Sequence, residues 1–134
     1  MKDQIKFTIP GKPDYVKMVR VAIASVAANV GFSVEEIEDI KVAVSEACKS
    51  VTCHGHEGFS TVYNVTCEPE DGGITIVVVD EVGTYEIIKD KKPCANCPGE
   101  GNLSLFVIES LMDKVEIKKD ENGNKSIRMV KYKC

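Results

Sequence analysis

The sequence predicts an α+β fold, a two-layer α/β sandwich with helices packed on one face of a mixed, mainly antiparallel sheet. Two stretches near the N-terminus repeat apolar residues at helical spacing. Two β-rich runs follow them, and residues 115–132 have the pattern of a hairpin around Asn122 and Gly123. The resulting order is strand, helix, helix, strand, strand, loop, helix, strand, strand, which groups the helices on one side.

Prolines mark the first strand and the first helix. Residues 5–9 alternate apolar and polar side chains and stop at Pro10, as an edge strand does. Pro13 suits the first turn of a helix, and apolar spacing continues until Gly31. One face of residues 14–30 is therefore expected in the core. Its members are Val16, Val19, Ile23, Val26 and Val30.

The second helix has a start signal in the sequence. Ser33 stands three residues before Glu36, which is the spacing of a capping box. Helical spacing then continues to about His54. The predicted buried face comprises Ile37, Ile40, Val44, Ala47 and Val51.

The middle of the chain predicts the centre of the sheet. Strands are expected at 59–67 and 74–80, with a turn at 68–73. The second run is nearly all apolar, so it is expected at the sheet centre. Residues 84–102 lack periodicity and predict an exposed loop. Helical spacing returns in 103–112, at Leu103, Phe106, Val107, Ser110 and Leu111.

Composition narrows the functional classes. A chain of 134 residues suits one domain, 1–134, and its net charge of −4, without a long basic run, argues against nucleic-acid binding. No run approaches the ~18 apolar residues of a membrane span. The N-terminus lacks signal-peptide features, so a cytoplasmic protein with reduced cysteines is expected.

Glu46 and Ser50 lie four residues apart in the second helix, on a face offset from its apolar stripe. There, a carboxylate can accept a hydroxyl proton, and a neighbouring oxygen can help hold Mg²⁺. An ordinary solvated glutamate and a helix serine have the same spacing, so this pair alone does not decide between the two interpretations.

Two other stretches suit ligand binding. Asp80 ends an apolar strand shortly before Gly83, where a carboxylate can accept a hydrogen bond from an amino group. Gly99 and Gly101 lead into a helix starting near Asn102, and free backbone N–H groups at a helix start bind phosphate. Ordinary turns also contain such residues.

Together, these stretches resemble a known family. VSEACKSVTCHG, VVVDEVGT and GEGNLSLFVIESLMDKVEI, in this order, are similar to the bacterial anti-sigma-factor serine-protein kinases. That family belongs to the GHKL superfamily of histidine-kinase-like ATPases, which have the Bergerat-type sandwich. The resemblance covers nearly the whole chain. It implies ATP and Mg²⁺ as cofactors, a sigma factor and an anti-sigma-factor antagonist as partners, and a homodimer.

The resemblance also implies roles for individual residues. Glu46 matches the general base, and Asp80 matches the aspartate that binds the adenine amino group. Ser126 matches a hydroxyl residue near adenine, and Arg20 matches an arginine that contacts partners. Residues 86–101 match the lid over ATP. The remaining nucleotide-binding positions it implies are Ser50, Gly83, Gly99, Gly101, Asn102, Leu103 and Ser104.

Three positions depart from the family pattern. Ser50 replaces the Mg²⁺-binding asparagine, although other phosphate-binding enzymes use Ser or Thr on Mg²⁺. Val82 replaces a glycine, and β-branched residues resist positive φ. Ser104 replaces another glycine near the phosphates. Together, these changes predict weakened or lost ATP binding and leave kinase activity open.

The cysteines allow an alternative function, a partner-binding or redox/zinc-sensing module without catalysis. Cys94 and Cys97 form a C-x-x-C pair in the lid, and Cys53, His54 and His56 follow the second helix. Such a cluster can hold Zn²⁺ or form a redox pair, but a second C-x-x-C is absent. The other cysteines are expected in the core or at the tail: Cys48, Cys67 and Cys134.

Overall fold

The computed structural model describes residues 3–51, 62–80, 103–119 and 125–134. None of the helices in these ranges is both long enough and apolar enough to cross a bilayer. In chain order, the elements are β1 (Ile5–Pro10), α1 (Pro13–Val30), α2 (Val34–Val51), β2 (Val62–Glu70), β3 (Gly73–Asp80), α3 (Leu103–Leu111), β4 (Lys114–Lys119) and β5 (Lys125–Tyr132).

Five strands form one sheet in the order β1-β2-β3-β5-β4. The predictions that β1 is an edge strand and β3 is central are both confirmed. The sheet was predicted to be mixed and mainly antiparallel, but every ladder between the described strands is antiparallel. No parallel pair forms because β5 lies between β3 and β4 and runs opposite to both.

The predicted turn at 68–73 is shorter in the structure. β2 continues to Glu70, which pairs with Gly73, so only Asp71 and Gly72 form the turn. Gly72 has a φ of 79°, a conformation that glycine adopts without strain. β1 pairs with β2 only as far as Cys67, so no residue of β1 lies opposite Pro69. A proline is therefore tolerated at this position of β2.

The helices form a layer on one face of the sheet, with α2 between α1 and α3. The predicted core faces of α1 and α2 are confirmed at Val19, Ile23, Ile40 and Val44, which are almost completely buried. Val26, Val30 and Ile37 are partly buried against the same core, and the side chain of Val51 lies outside the described part of the structure. They pack with inward residues of the central strands into one hydrophobic core. Burying each such side chain contributes about 1.5–3 kcal/mol.

The capping box at the start of α2 forms as predicted. The backbone N–H of Glu36 donates to Ser33 Oγ at 3.2 Å, and the N–H of Ser33 donates to Glu36 Oε1 at 2.8 Å. The backbone hydrogen bond from Ser33 lowers the pKa of Glu36 below its usual value. The sequence therefore fixes where α2 begins. The expected continuation to His54 lies outside the described residues.

In α3, the buried face differs from the residues that marked the helix in the sequence. Leu105, Ile108 and Met112 are buried, whereas Leu103 and Phe106 are 75% and 70% exposed. This helix is apolar on nearly every side, so more than one stripe has helical spacing. The contacts of α3 with α2 and the sheet determine which of these stripes is buried.

Cys48 and Cys67 are buried and Cys134 is exposed, as predicted. Burial raises the pKa of the Cys48 thiol to about 12 and that of Cys67 to about 11. The uncharged thiols are therefore favoured in the folded protein.

Because the Cys48 thiol is buried, the free energy of unfolding is expected to fall in alkaline solution. Its pKa is 9.0 in the unfolded chain and about 12 in the folded protein. Above pH 9 the unfolded chain loses a proton that the folded protein keeps, so its contribution is complete below pH 9 and is lost towards pH 12. At pH 10.5 the loss is about 2 kcal/mol.

Urea unfolding at pH 8 and 10.5 measures this loss of stability. A Cys48→Ala variant should lose less stability than wild type, whereas Cys134→Ala should match wild type; equal losses in all three proteins would contradict this.

Candidate functional site

The C-terminal end of β3 places position 80 on the helix-facing side of the sheet. Strand residues alternate between faces, and Ile74, Ile76 and Val78 are completely buried under the helices. Asp80 is the next position in this register. Its neighbours across the ladders are Tyr63 of β2 and Lys125 of β5. These three positions therefore form one row at this end of the sheet.

Lys125 is a buried lysine at this end of the sheet that the sequence analysis did not single out. Its side chain is 1% exposed, and its Nζ has no hydrogen-bond partner within the described part of the chain. Buried polar groups are nearly always hydrogen-bonded, so an unpaired buried ammonium is exceptional. The signal for it was available, because Lys125 shares the alternate register of the buried Ile127 and Met129.

Contacts near its N-terminus fix the direction of α2. Glu36 Oε2 accepts a hydrogen bond at 3.1 Å from the N–H of Cys134, just after β5. Asp39 Oδ2 lies 4.0 Å from Nζ of Lys131, which pairs with Ile74 at the start of β3. Thus α2 begins above the start of β3 and runs in the same direction. Its later turns lie toward the end of β3.

Glu46 and Ser50 are on these later turns, about 10 and 16 Å beyond Asp39 at 1.5 Å per residue. The Glu46 side chain is 21% exposed, and Oε1 is 3.4 Å from Lys49 Nζ. Position 50 is one turn further along the helix. Both positions therefore lie closer to the Asp80 end of the helix layer than Asp39 does.

Helix α3 runs in the opposite direction and brings its N-terminus to the same end. The carbonyl oxygen of Leu111, in its last turn, accepts a 2.6 Å hydrogen bond from Lys131 Nζ. Lys131 lies near the start of β3, so the beginning of α3, at Leu103 and Ser104, points toward the other end. In general, the dipole and the first-turn N–H groups of a helix suit its N-terminus to an anion such as phosphate.

Two predicted residues lie elsewhere. Ser126 pairs with Val79 and shares the register of the exposed Arg128, so it lies on the outer face of the sheet. Arg20 lies on α1, half-buried, and its Nε is buried without a hydrogen-bond partner among the described residues. The remaining predicted positions lie outside the described residues: Val82, Gly83, the lid 86–101 with Cys94, Cys97, Gly99 and Gly101, and Asn102, as well as Cys53, His54 and His56.

A cavity of about 490 Å³ opens at the opposite end of the sheet. It lies between the last turns of α1, the start of β1 and the β2–β3 turn, with Val26, Asn29 and Asp71 among its lining residues. It contains none of the predicted site residues. Among the described ranges, no group of three or more His, Cys, Asp or Glu side chains is placed to hold a metal.

The residues at the Asp80 end fit a nucleotide. The N-terminus of α3 suits phosphate, and position 80 lies in the ladder beside Lys125, a buried donor with no hydrogen-bond partner among the described residues. Glu46 adds a partly exposed carboxylate on the same side of the sheet. Such a set can bind a phosphorylated ligand and accept a proton next to it.

Comparison with known proteins agrees with this arrangement. A family profile described as a histidine kinase-like ATPase domain matches residues 9–131. A serine-protein kinase RsbW of Listeria monocytogenes is 36% identical, with 98% of this chain and 88% of the relative aligned. Those of Halalkalibacterium halodurans and Bacillus pumilus are 33% and 32% identical, over 88% and 97% of this chain and 77% and 86% of the relatives. The chain therefore belongs to the histidine kinase-like ATPase family.

Proposed function

We propose that this chain is a cytoplasmic anti-sigma regulatory factor that binds a sigma factor and uses Mg-ATP to phosphorylate an antagonist protein on serine. The family and its relatives named serine-protein kinases support the proposal. The observation that carries it is the direction of the elements, since the later turns of α2, the last residue of β3 and the start of α3 all lie toward the same end of the sheet.

The roles of the residues follow from their chemistry. Mg-ATP supplies the phosphoryl group. Glu46 accepts the proton of the attacking serine hydroxyl, and Asp80 accepts a hydrogen bond from the adenine amino group. The first N–H groups of α3 hold phosphate oxygens. Ser50 contributes a hydroxyl oxygen to Mg²⁺, and the lid 86–101 covers the nucleotide within a single domain, 1–134.

Partner binding is assigned to α1 and β1. The outer side of α1 exposes Tyr15, Met18 and Val21, by 40%, 56% and 61%, and Arg20 on the same helix is half-buried. Exposed apolar patches with polar neighbours are typical of protein interfaces. Among the described strands β1 pairs on one side only, and such an edge suits pairing with a second copy in a homodimer.

Titration calorimetry with ATP tests the proposal. Wild-type protein is expected to bind ATP with micromolar affinity that depends on Mg²⁺. Asp80→Asn should bind about 10- to 100-fold more weakly, because a hydrogen bond to a charged acceptor contributes about 1.5–3 kcal/mol. Asp71→Asn, in the turn at the opposite end of the strand pair, is the matched control and should bind like wild type.

The departures at Ser50, Val82 and Ser104 make this titration decisive. Absence of ATP binding up to millimolar concentration would overturn the kinase assignment and leave a partner-binding scaffold. Equal weakening by Asp80→Asn and Asp71→Asn would instead place the nucleotide away from the end of β3.

A further inference from the structure

Lys131 of β5 contacts both of the helices that carry the proposed reaction. Its Nζ donates a hydrogen bond to the carbonyl oxygen of Leu111 at 2.6 Å and lies 4.0 Å from Asp39 Oδ2 of α2. The side chain is only 12% exposed, so the hydrogen bond is stronger than it would be in water. One largely buried ammonium group therefore joins the end of α3 to the first half of α2.

The contact with α3 has a physical cause. Leu111 is the last residue of the helix, where carbonyl oxygens lack partners within the helix and carry the negative end of its dipole. The last turn of α3 contains no basic side chain of its own. Lys131 therefore supplies from β5 the donor and the positive charge that stabilise this helix end.

Two further bonds tie the chain after α3 to the same strand. The backbone N–H of Asp113 donates to the carbonyl oxygen of Val130 at 2.9 Å, and Asp113 Oδ2 accepts from the N–H of Tyr132 at 2.7 Å. These bonds hold the connection between α3 and β4 and remain when the Lys131 side chain is replaced. Such a variant is therefore expected to fold, but to lose the restraint on where the end of α3 lies along α2.

The two contacts of Lys131 set the level of the proposed reacting groups. Helix α2 runs from Asp39 toward the end of β3, and Glu46 lies about 10 Å further along it at 1.5 Å per residue. Helix α3 runs the other way, so Leu103 lies about 12 Å from Leu111 in the same direction. Because both helices are held at Lys131, Glu46 and the start of α3 come to nearly the same level.

We propose that Lys131 is a positioning residue for phosphoryl transfer. It holds α3 at the place along α2 where phosphate at the first turn of α3 lies level with Glu46. The inference rests on the function proposed above, which assigns phosphate binding to the start of α3 and proton acceptance to Glu46. Lys131 lies at the other end of both helices and acts through them. A misplacement of about 1 Å caused by a distant substitution can lower a rate about 100-fold.

The kinetic test compares wild type with Lys131→Met in phosphate transfer from ATP to a purified antagonist protein. The rate at saturating ATP is expected to fall by about 10- to 100-fold. The ATP affinity should stay within about threefold, because the flexible triphosphate follows α3 and the loss falls on the transition state. Lys131→Arg should restore most of the rate, since an arginine can also bond the last carbonyls of a helix.

Lys118→Met is the matched control. Lys118 also lies in the sheet and has a carboxylate partner, Glu116 at 3.7 Å, but its side chain is 67% exposed. It pairs with Ser126 and so lies on the face of the sheet away from the helices. Its replacement removes the same charge and should leave the rate unchanged. A loss as large as that of Lys131→Met would assign the effect to net charge and overturn the inference.

A measurement without nucleotide tests the position of α3 directly. In NMR spectra of the free protein, Lys131→Met should shift the backbone amide signals of residues 103–105, at the far end of α3. A role in stability alone would lower the free energy of unfolding and leave these signals in place. Shifts confined to the neighbourhood of Leu111 would therefore contradict the inference.

The kinetic outcomes separate this inference from the proposed function. An unchanged rate in Lys131→Met, with an active wild type, would overturn the inference and leave the kinase assignment intact. A loss of ATP affinity as large as the loss of rate would also overturn it, because Lys131 would then support binding and not alignment. Failure of wild type to bind ATP or to transfer phosphate would overturn the proposed function and this inference together.

Discussion

Glu46→Gln is expected to lower serine phosphorylation by about 100- to 10,000-fold, the usual contribution of a general base. Glutamine keeps the size of the side chain and its place on α2, but it cannot take the proton of the attacking hydroxyl. ATP affinity should stay within about twofold, because proton acceptance acts on the transition state. The measurement is the initial rate of labelled phosphate transfer from ATP to a purified antagonist protein, together with the ATP affinity of the variant.

The same helix offers a matched control. Glu38 pairs with Lys41 at 3.2 Å, three residues on, as Glu46 pairs with Lys49 at 3.4 Å. Glu38→Gln therefore removes an ion pair of the same spacing at a more exposed glutamate, 60% against 21%, and such a pair contributes little to stability. It should leave the rate unchanged. A Glu46→Gln variant that keeps more than a tenth of the wild-type rate would exclude Glu46 as the general base.

The second large effect is expected from Ile76→Ala, which should lower the free energy of unfolding by about 2–5 kcal/mol. Ile76 is completely buried in the central strand, between Cys67 and Met129, which are also completely buried. Truncation leaves a cavity under the helix layer that β-sheet neighbours cannot fill. Urea unfolding at neutral pH measures the loss.

Val77→Ala is the control for this prediction. The next residue of β3 faces the other side of the sheet, between Thr66 and the exposed Arg128, and is only half-buried. Its truncation is expected to cost about 1 kcal/mol or less. Equal losses for the two variants would contradict the assignment of the core to one face of the sheet.

The sequence predicts the buried face of a helix where its apolar residues form one stripe only. Val19 and Ile23 of α1 and Ile40 and Val44 of α2 each belong to one apolar stripe with polar residues opposite, and all four are buried. In α3 six of the nine residues are apolar and are distributed around the helix, so the stripe through Phe106 is as regular as the one through Ile108. Only packing against the neighbouring elements decides between them.

Lys125 and Ser126 show how strand register decides which side of the sheet a residue lies on. Adjacent strand residues face opposite sides, so a shift of one position exchanges the helix-facing side for the outer one. Ser126 was predicted near adenine, but the ladder pairs it with Val79 and puts Lys125 opposite Asp80. The register depends on how the β4–β5 hairpin joins β3, which no local pattern specifies.

The convergence of α2 and α3 on one end of the sheet was likewise beyond the sequence. It depends on contacts between distant residues, above all those of Lys131 with Asp39 and Leu111. Spacing within a helix shows that Glu46 and Ser50 share a face, but not which strand end they approach.

The most direct test of a nucleotide site at this end is a map of backbone amide shifts in NMR spectra during ATP titration with Mg²⁺. The largest changes are expected in residues 78–80, 103–105 and 125–127, with smaller ones near Glu46. Amides at 70–74, the opposite end of the β2–β3 pair, should stay unchanged. Changes concentrated at 70–74, or no change at millimolar ATP, would contradict the account.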